Sequence, residues 1–251
     1  MQREIIARGT FAEAPFGRLS QVFLSDLHLN SAGAHDNCQQ SLLYQYLASL
    51  PANFIVTVAG DGFDQLEEPN YWLMSRNCAA TVNALLARHA LFMAGNHDPE
   101  LARWPLKQAY FPDALDLTRA FIWHGHQRDP ACSGAATIVA RLAAFAWGCL
   151  ERLGLGPRLR SLKDRVEDWY RRRKGLRAVT ASKRGDTNAV WVEDAIARDK
   201  ALYISGHTHL PELVELGGGH WYANPGSWVE VGVGYAVEVE GIDISLVRIT
   251  G

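Results

Sequence analysis

Two pairs of side chains in this sequence stand two residues apart with chelating chemistry, Asp26 with His28 and His207 with His209. On extended backbone, residues i and i+2 project to the same side, so each pair can grip one ion. Three further donors, Asp61, Asn96 and His124, stand apart from one another. The whole set is oxygen and nitrogen with no cysteine, which suits a borderline divalent ion such as manganese, iron or zinc. Seven donors exceed what one ion uses alongside water and substrate, whereas two ions sharing a bridging carboxylate employ them all. Paired ions roughly 3.5–4 Å apart acidify a bridging water, clamp phosphoryl oxygens and stabilise a leaving oxygen, so the set points to phosphate chemistry.

Donors so far apart along the chain need elements that bring them to one rim. Each follows a short apolar run. Val22 to Leu24 precedes Ser25 to His28, Phe54 to Val58 precedes Gly60 to Asp64, and Leu91 to Met93 precedes Gly95 to Asp98. Phe121 to Trp123 leads into His124-Gly125-His126, and Leu202 to Ile204 into Gly206 to His209. We read each run as a buried strand whose C-terminal loop holds functional groups. Helical segments at Gln40 to Leu50 and about Ser75 to Ala90 separate the early runs, giving β-α-β-α-β with a largely parallel sheet. Later, His220 to Tyr222, Gly234 to Val239 and Asp243 to Ile249 alternate in character between Gly-rich turns and read as antiparallel strands. Two facing sheets with helices outside accommodate both halves in an α/β (α+β) fold.

Taken in order, D-x-H (Asp26, His28), G-D-x-x-D (Gly60 to Asp64), G-N-H-D (Gly95 to Asp98), H-G-H (His124 to His126) and G-H-T-H (Gly206 to His209) resemble the calcineurin-like metallophosphoesterases. The resemblance spans Asp26 to about Trp228. It implies a four-layer α/β/β/α sandwich and hydrolysis of a phosphate ester or pyrophosphate bond by a metal-bridging hydroxide. It further implies one ion on Asp26, His28, Asp61 and His209, and a second on Asp61, Asn96, His124 and His207, with Asp61 as the bridge. His97 would serve the leaving group or the transferring phosphoryl as proton donor or charge stabiliser, with Asp98 orienting its ring. An insertion after the H-G block, then G-H-T-H-x-P and N-P-G-S-W, is similar to the branch holding UDP-2,3-diacylglucosamine pyrophosphohydrolases. That branch commonly has Arg where His97 stands and an acidic residue where His126 stands. A serine/threonine protein phosphatase and a non-catalytic scaffold are the other readings of such a site.

The remaining composition bounds the function. A chain of 251 residues, 48% hydrophobic and 21% charged, suits a single domain over 1–251. A net charge of −2 argues against binding nucleic acid by bulk positive charge. Four scattered cysteines suggest neither a zinc ribbon nor a disulfide scaffold, and the first twenty residues contain no apolar core of a signal peptide, so a cytoplasmic setting is expected. Residues 133–185 read as a helical cap insertion, an apolar helix followed by a basic one, carrying 13 of the 25 lysines and arginines. Such a cap would offer an acyl groove, or a peripheral contact with an anionic membrane, and favours a phosphorylated small molecule or lipid-linked substrate. The same residues also suit a helix packed on the core with a solvated face. Oligomeric state is left open.

Several residues are read as structural. His35, His89 and His220 follow no such pattern, and His126, which could touch substrate or fill the loop after His124, is taken to do the latter. Arg128, with Asp129, is a candidate substrate-binding or supporting group. Asn224-Pro225-Gly226-Ser227-Trp228 is by composition a turn and receives no chemistry.

Overall fold

Each apolar run predicted to be a strand is one. In the computed structural model the described residues are 1–29, 39–66, 76–101, 114–128 and 192–251, with Tyr110–Phe111 and positions 70, 72, 132, 142 and 146. The chain forms β1 (Gln2–Thr10), β2 (Ser20–Leu24), α1 (Gln40–Ser49), β3 (Phe54–Val58), α2 (Ala79–Ala87), β4 (Leu91–Met93) and β5 (Tyr110–Phe111). There follow β6 (Ala114–Asp116), β7 (Ala120–Trp123), β8 (Leu202–Ile204), β9 (Glu212–Gly217), β10 (His220–Asn224), β11 (Val233–Glu240) and β12 (Asp243–Thr250). The expected cap, 133–185, lies outside the described residues except for positions 142 and 146.

Two sheets result, a seven-stranded one ordered β1-β12-β11-β2-β3-β4-β5 and a five-stranded one ordered β6-β7-β8-β10-β9. As expected, β2, β3 and β4 run parallel, with Leu24 opposite Val58 and Val58 opposite Phe92. Parallel register brings their C-terminal loops to one edge. In the second sheet β7 and β8 are also parallel, which brings their loops out together. One expectation changes: β10 is antiparallel only to β9 and runs parallel to β8. The antiparallel hairpin β11-β12 instead joins the first sheet beside β2. β1, which the mixed N-terminal sequence did not suggest, adds to the edge of β12.

Strand alternation sorts the core into two layers. Val22 and Leu24 of β2 meet α1 and α2 through Leu43, Tyr46, Leu47, Val82 and Leu85, whereas Phe23 faces the other sheet with Met93, Val237, Val239 and Leu246. A helical stretch at 192–198 closes the far side: Ala195 joins the second layer, and the Arg198 guanidinium lies 3.9 Å from the centre of the Phe121 ring. Two sheets clad by helices on both outer faces thus make the α/β/β/α sandwich expected. Completely burying one Val, Leu or Phe contributes about 1.5–3 kcal/mol, so this double layer fixes the strand ends that carry the rim. Among the described residues no helix is long and apolar enough to cross a membrane.

Candidate metal centre

The loops after β2, β3, β4, β7 and β8 meet, and the first thing they show is backbone strain. Asp26, His28, Asp61, His207 and His209 all take left-handed φ, at 51, 47, 49, 69 and 60°. Non-glycine residues pay conformational energy there, so five of them together mark a place where side-chain direction overrides local comfort. The turns are locked across strands: Asp26 N–H donates to Gly60 O and His28 N–H to Asp61 O, at 3.1 and 2.9 Å. Gly206 is needed for a close approach as well as a turn, since a Cβ there would run into Ser25 Oγ and Asp26 Oδ2.

Around Asp26 the donors converge. Its Oδ2 accepts from Ser25 Oγ at 2.5 Å and from His207 N–H at 3.0 Å. Its Oδ1 is buried and makes no aligned hydrogen bond, although His209 Nε2 lies 3.2 Å away and His28 Nε2 4.0 Å away. The His28 and His209 Nε2 atoms face each other at 3.4 Å. Two ring nitrogens about 2.1 Å from one tetrahedral ion would stand about 3.4 Å apart, so the donors present fit a divalent cation. A carboxylate oxygen left without hydrogen-bond alignment in the interior fits the same role.

Asp61 divides its oxygens likewise. Oδ1 accepts the His97 N–H at 2.8 Å, while Oδ2 stands 3.2 Å from His124 Nε2 and 3.8 Å from His28 Nε2. It therefore joins the cluster of Asp26, His28 and His209 to its own cluster with His124 and His207. Asn96 Oδ1 reaches His124 Nε2 at 3.1 Å. The His124 Nδ1 faces Ala59 O at 3.0 Å, a bond that fixes the tautomer with a proton on Nδ1 and leaves Nε2 for an ion. The structure thus gathers Asp26, His28, Asp61, Asn96, His124, His207 and His209 at one rim.

Charge follows from this crowding. Burial pushes against ionisation of Asp26, yet the imidazoles of His209 and His124 hold its carboxyl down at about 2. Burial opposes a charged His124, but Asp61 and Asp26 beside it raise it to about 10. Deprotonating such a ring takes a stronger competitor than water, which a divalent ion is.

One assignment needs correction. Asp98 does not orient His97: its Oδ1 accepts the Gly95 N–H at 2.5 Å and its Oδ2 the Phe63 N–H at 3.2 Å, which ties the two loops together. The carboxylate that meets the ring is Asp64, whose Oδ1 is 3.2 Å from His97 Nδ1. Asp64 Oδ2 also stands 3.7 Å from His28 Nδ1, so one acid sits beside both the His28 ring and the His97 ring, which are perpendicular with centres 4.5 Å apart. Burial lowers the His97 pKa, but the Asp64 bond and the Asp61 charge outweigh this and bring it to about 9. Asp98 is pushed up to about 7 by burial and by Asp61, against its two backbone bonds. The signal for Asp64 was in the G-D-x-x-D block, as its second acid.

Two more residues had no chemistry assigned. Asn224 is fully buried and holds the G-H-T-H turn through Gly206 O and Thr208 Oγ1. Trp228, also fully buried, donates its backbone N–H to Asp26 O. The N-P-G-S-W turn therefore supports both the loop after β2 and the loop after β8. His126 lies with its ring centre 5.3 Å from His124, beside the rim. His220 is bound to Lys200 O, away from the rim. Arg128 ends a short 3-10 turn at His126–Arg128, and its side chain and Asp129 lie outside the described residues, as does His35.

No protein-family model matches the chain, and no curated protein matches it. Solved structures do show similarity. A predicted phosphoesterase from Streptococcus pneumoniae TIGR4 aligns at 15% identity over 94% of this chain and 85% of that one, with a TM-score of 0.36. A metallophosphoesterase from Sphaerobacter thermophilus aligns at 14% over 92% and 88%, with a TM-score of 0.40. Vps29 from Entamoeba histolytica, complexed with zinc, aligns at 14% over 92% of each chain, with a TM-score of 0.43. Identity this low leaves substrate and partners to be argued from this chain's own residues.

Proposed function

We propose that the protein is a phosphoesterase that holds two divalent ions, manganese first, and hydrolyses a phosphate ester or pyrophosphate bond. The observation that carries this reading is Asp61: one oxygen is held by the His97 N–H, and the other faces a nitrogen of each flanking cluster. Asp26, His28, Asp61 and His209 would hold one ion, and Asp61, Asn96, His124 and His207 the other. Bound there, the pair would supply an acidified water and neutralise charge on the phosphoryl oxygens.

The chain's own residues do the rest. His97, held by Asp64 at Nδ1 and charged at neutral pH, presents Nε2–H as the donor to the leaving oxygen when the P–O bond breaks. Asp64 keeps that ring turned and stabilises its positive form. Asp98 acts one layer further out, tying the β3 and β4 loops together so that Asp61 and His97 keep their spacing.

A lipid-linked nucleotide diphosphate is the substrate suggested by the insertion and the N-P-G-S-W turn. A panel discriminates: an aryl phosphomonoester, an aryl phosphodiester and a lipid-linked nucleotide diphosphate, each offered to metal-stripped protein reloaded with manganese. Turnover of any of them supports the phosphoesterase, and turnover of the lipid-linked compound far above the aryl esters favours the lipid enzyme. Firm ion binding with no turnover of any compound favours a scaffold and defeats the proposal.

A further inference from the structure

The turn that presents His207 is shaped unlike its neighbours. Thr208 N–H donates back to Gly206 O at 2.8 Å across a residue whose φ is 69°. A bond from i+2 to i around a positive-φ residue is a γ-turn of the rare, strained kind. Strain of this sort persists only where the surroundings over-determine it. The following residue, His209, is itself left-handed at 60°, so two chelating imidazoles hang on a backbone that would relax if released.

What over-determines the turn is Asn224, the last residue of β10. Its Nδ2 donates to Gly206 O at 3.1 Å, before His207, and to Thr208 Oγ1 at 2.9 Å, after it. Its Oδ1 accepts the Gly226 N–H at 2.8 Å, which anchors the carboxamide to its own loop. The side chain is fully buried. Two donors and one acceptor on a short planar group are what the place requires. Aspartate supplies no donor, and glutamine is one methylene too long. The parallel pairing of β10 with β8, Ala223 opposite Ile204, is what sets Asn224 beside the turn.

We infer that Asn224, acting with Thr208, is a positioning residue for the metal centre: it braces the γ-turn on both sides of His207 and so sets His207 and His209 on their ions. This rests on the two-ion reading above. Neither residue is a ligand, and the effect reaches the ions through backbone direction.

The experiment measures ion binding in the full-length chain, stripped by chelator and titrated with manganese, together with the visible spectrum of the cobalt-loaded form. The variants are Asn224→Asp, Asn224→Ala, Thr208→Val and Thr208→Ser. Wild type is expected to take up two ions. Asn224→Asp and Thr208→Val are expected to weaken manganese affinity about 10–100-fold and to alter the cobalt spectrum, while Thr208→Ser keeps both at wild-type level. Thr208→Val, on a half-buried side chain, covers the case in which Asn224→Ala does not fold. Two ions on wild type with affinity and spectrum unchanged in Asn224→Asp and Thr208→Val overturn the inference alone. No uptake by wild type overturns the metal-centre reading, and the inference with it.

Discussion

Two clusters of buried charge in this protein are built on opposite principles. On β11, Glu238 accepts Arg3 Nε at 3.1 Å, a second bond from the same guanidinium, and the Tyr46 hydroxyl at 2.9 Å. Both of its oxygens are bound, and neither Glu238 nor its partners take left-handed backbone. At the rim, Asp26 keeps one oxygen without an aligned bond and five donors sit at positive φ. Burial of a carboxylate therefore does not by itself mark function. Incomplete pairing together with strained backbone does, because a purely structural site has no reason to keep either.

The largest expected effect tests this contrast directly. Asp61→Ala should abolish both ion uptake and turnover of an aryl phosphate, whereas Glu238→Gln should leave both intact and lower the unfolding temperature. If Glu238→Gln costs activity as Asp61→Ala does, the division between the clusters is wrong.

Next in size is the acid behind His97. Asp64→Asn should lower kcat about 10–100-fold. It should also move the alkaline limb of the kcat profile to lower pH, because the bond that raises the His97 pKa is lost. Asp98→Asn should cost less and leave that limb in place, since its carboxylate binds backbone and not the ring. Equal shifts of the limb in both variants would return the orienting role to Asp98.

A subtler effect is in stability against pH. Burial disfavours the charged form of His124, but Asp61 and Asp26 raise its pKa from 6.5 to about 10 in the ion-free fold. A raised histidine contributes stability that is complete below about 6.5 and lost as pH climbs through about 10. Chelator-treated protein should therefore lose unfolding temperature steadily from neutral pH to 10, and manganese should flatten that decline, because the bound ring is already neutral. Identical slopes with and without manganese would separate His124 from the ions.

The smallest effect belongs to the structural cluster. Tyr46→Phe removes one donor to Glu238 while Arg3 still satisfies the acid, so it should cost about 1 kcal/mol in denaturant unfolding and nothing in ion affinity.

Much of this was legible in sequence because the pattern is local. An apolar run ending in a polar cluster says strand and then loop, so β2, β3, β4, β7 and β8 and the donors after them could be placed without coordinates. β1 was not, since its charged residues, Arg3, Glu4 and Arg8, dilute the apolar alternation of an edge strand that has one neighbour. Nor was the role of Asn224, because a turn residue and a brace have the same local composition and differ only in what lies across from them.

The residue types and their order by themselves placed seven oxygen and nitrogen donors at strand ends, but their i, i+2 spacing paired His207 with His209, which the structure sends to different clusters. Only the tertiary structure decided how each carboxylate divides its two oxygens and which acid serves His97. Adjacent Asp98 is spent on the Gly95 and Phe63 N–H groups, while Asp64, 33 residues away along the chain, is carried to the ring by the parallel pairing of β3 with β4. Sequence proximity favours the neighbour, but hydrogen bonding is settled by direction, and direction is fixed only when the strands are laid side by side.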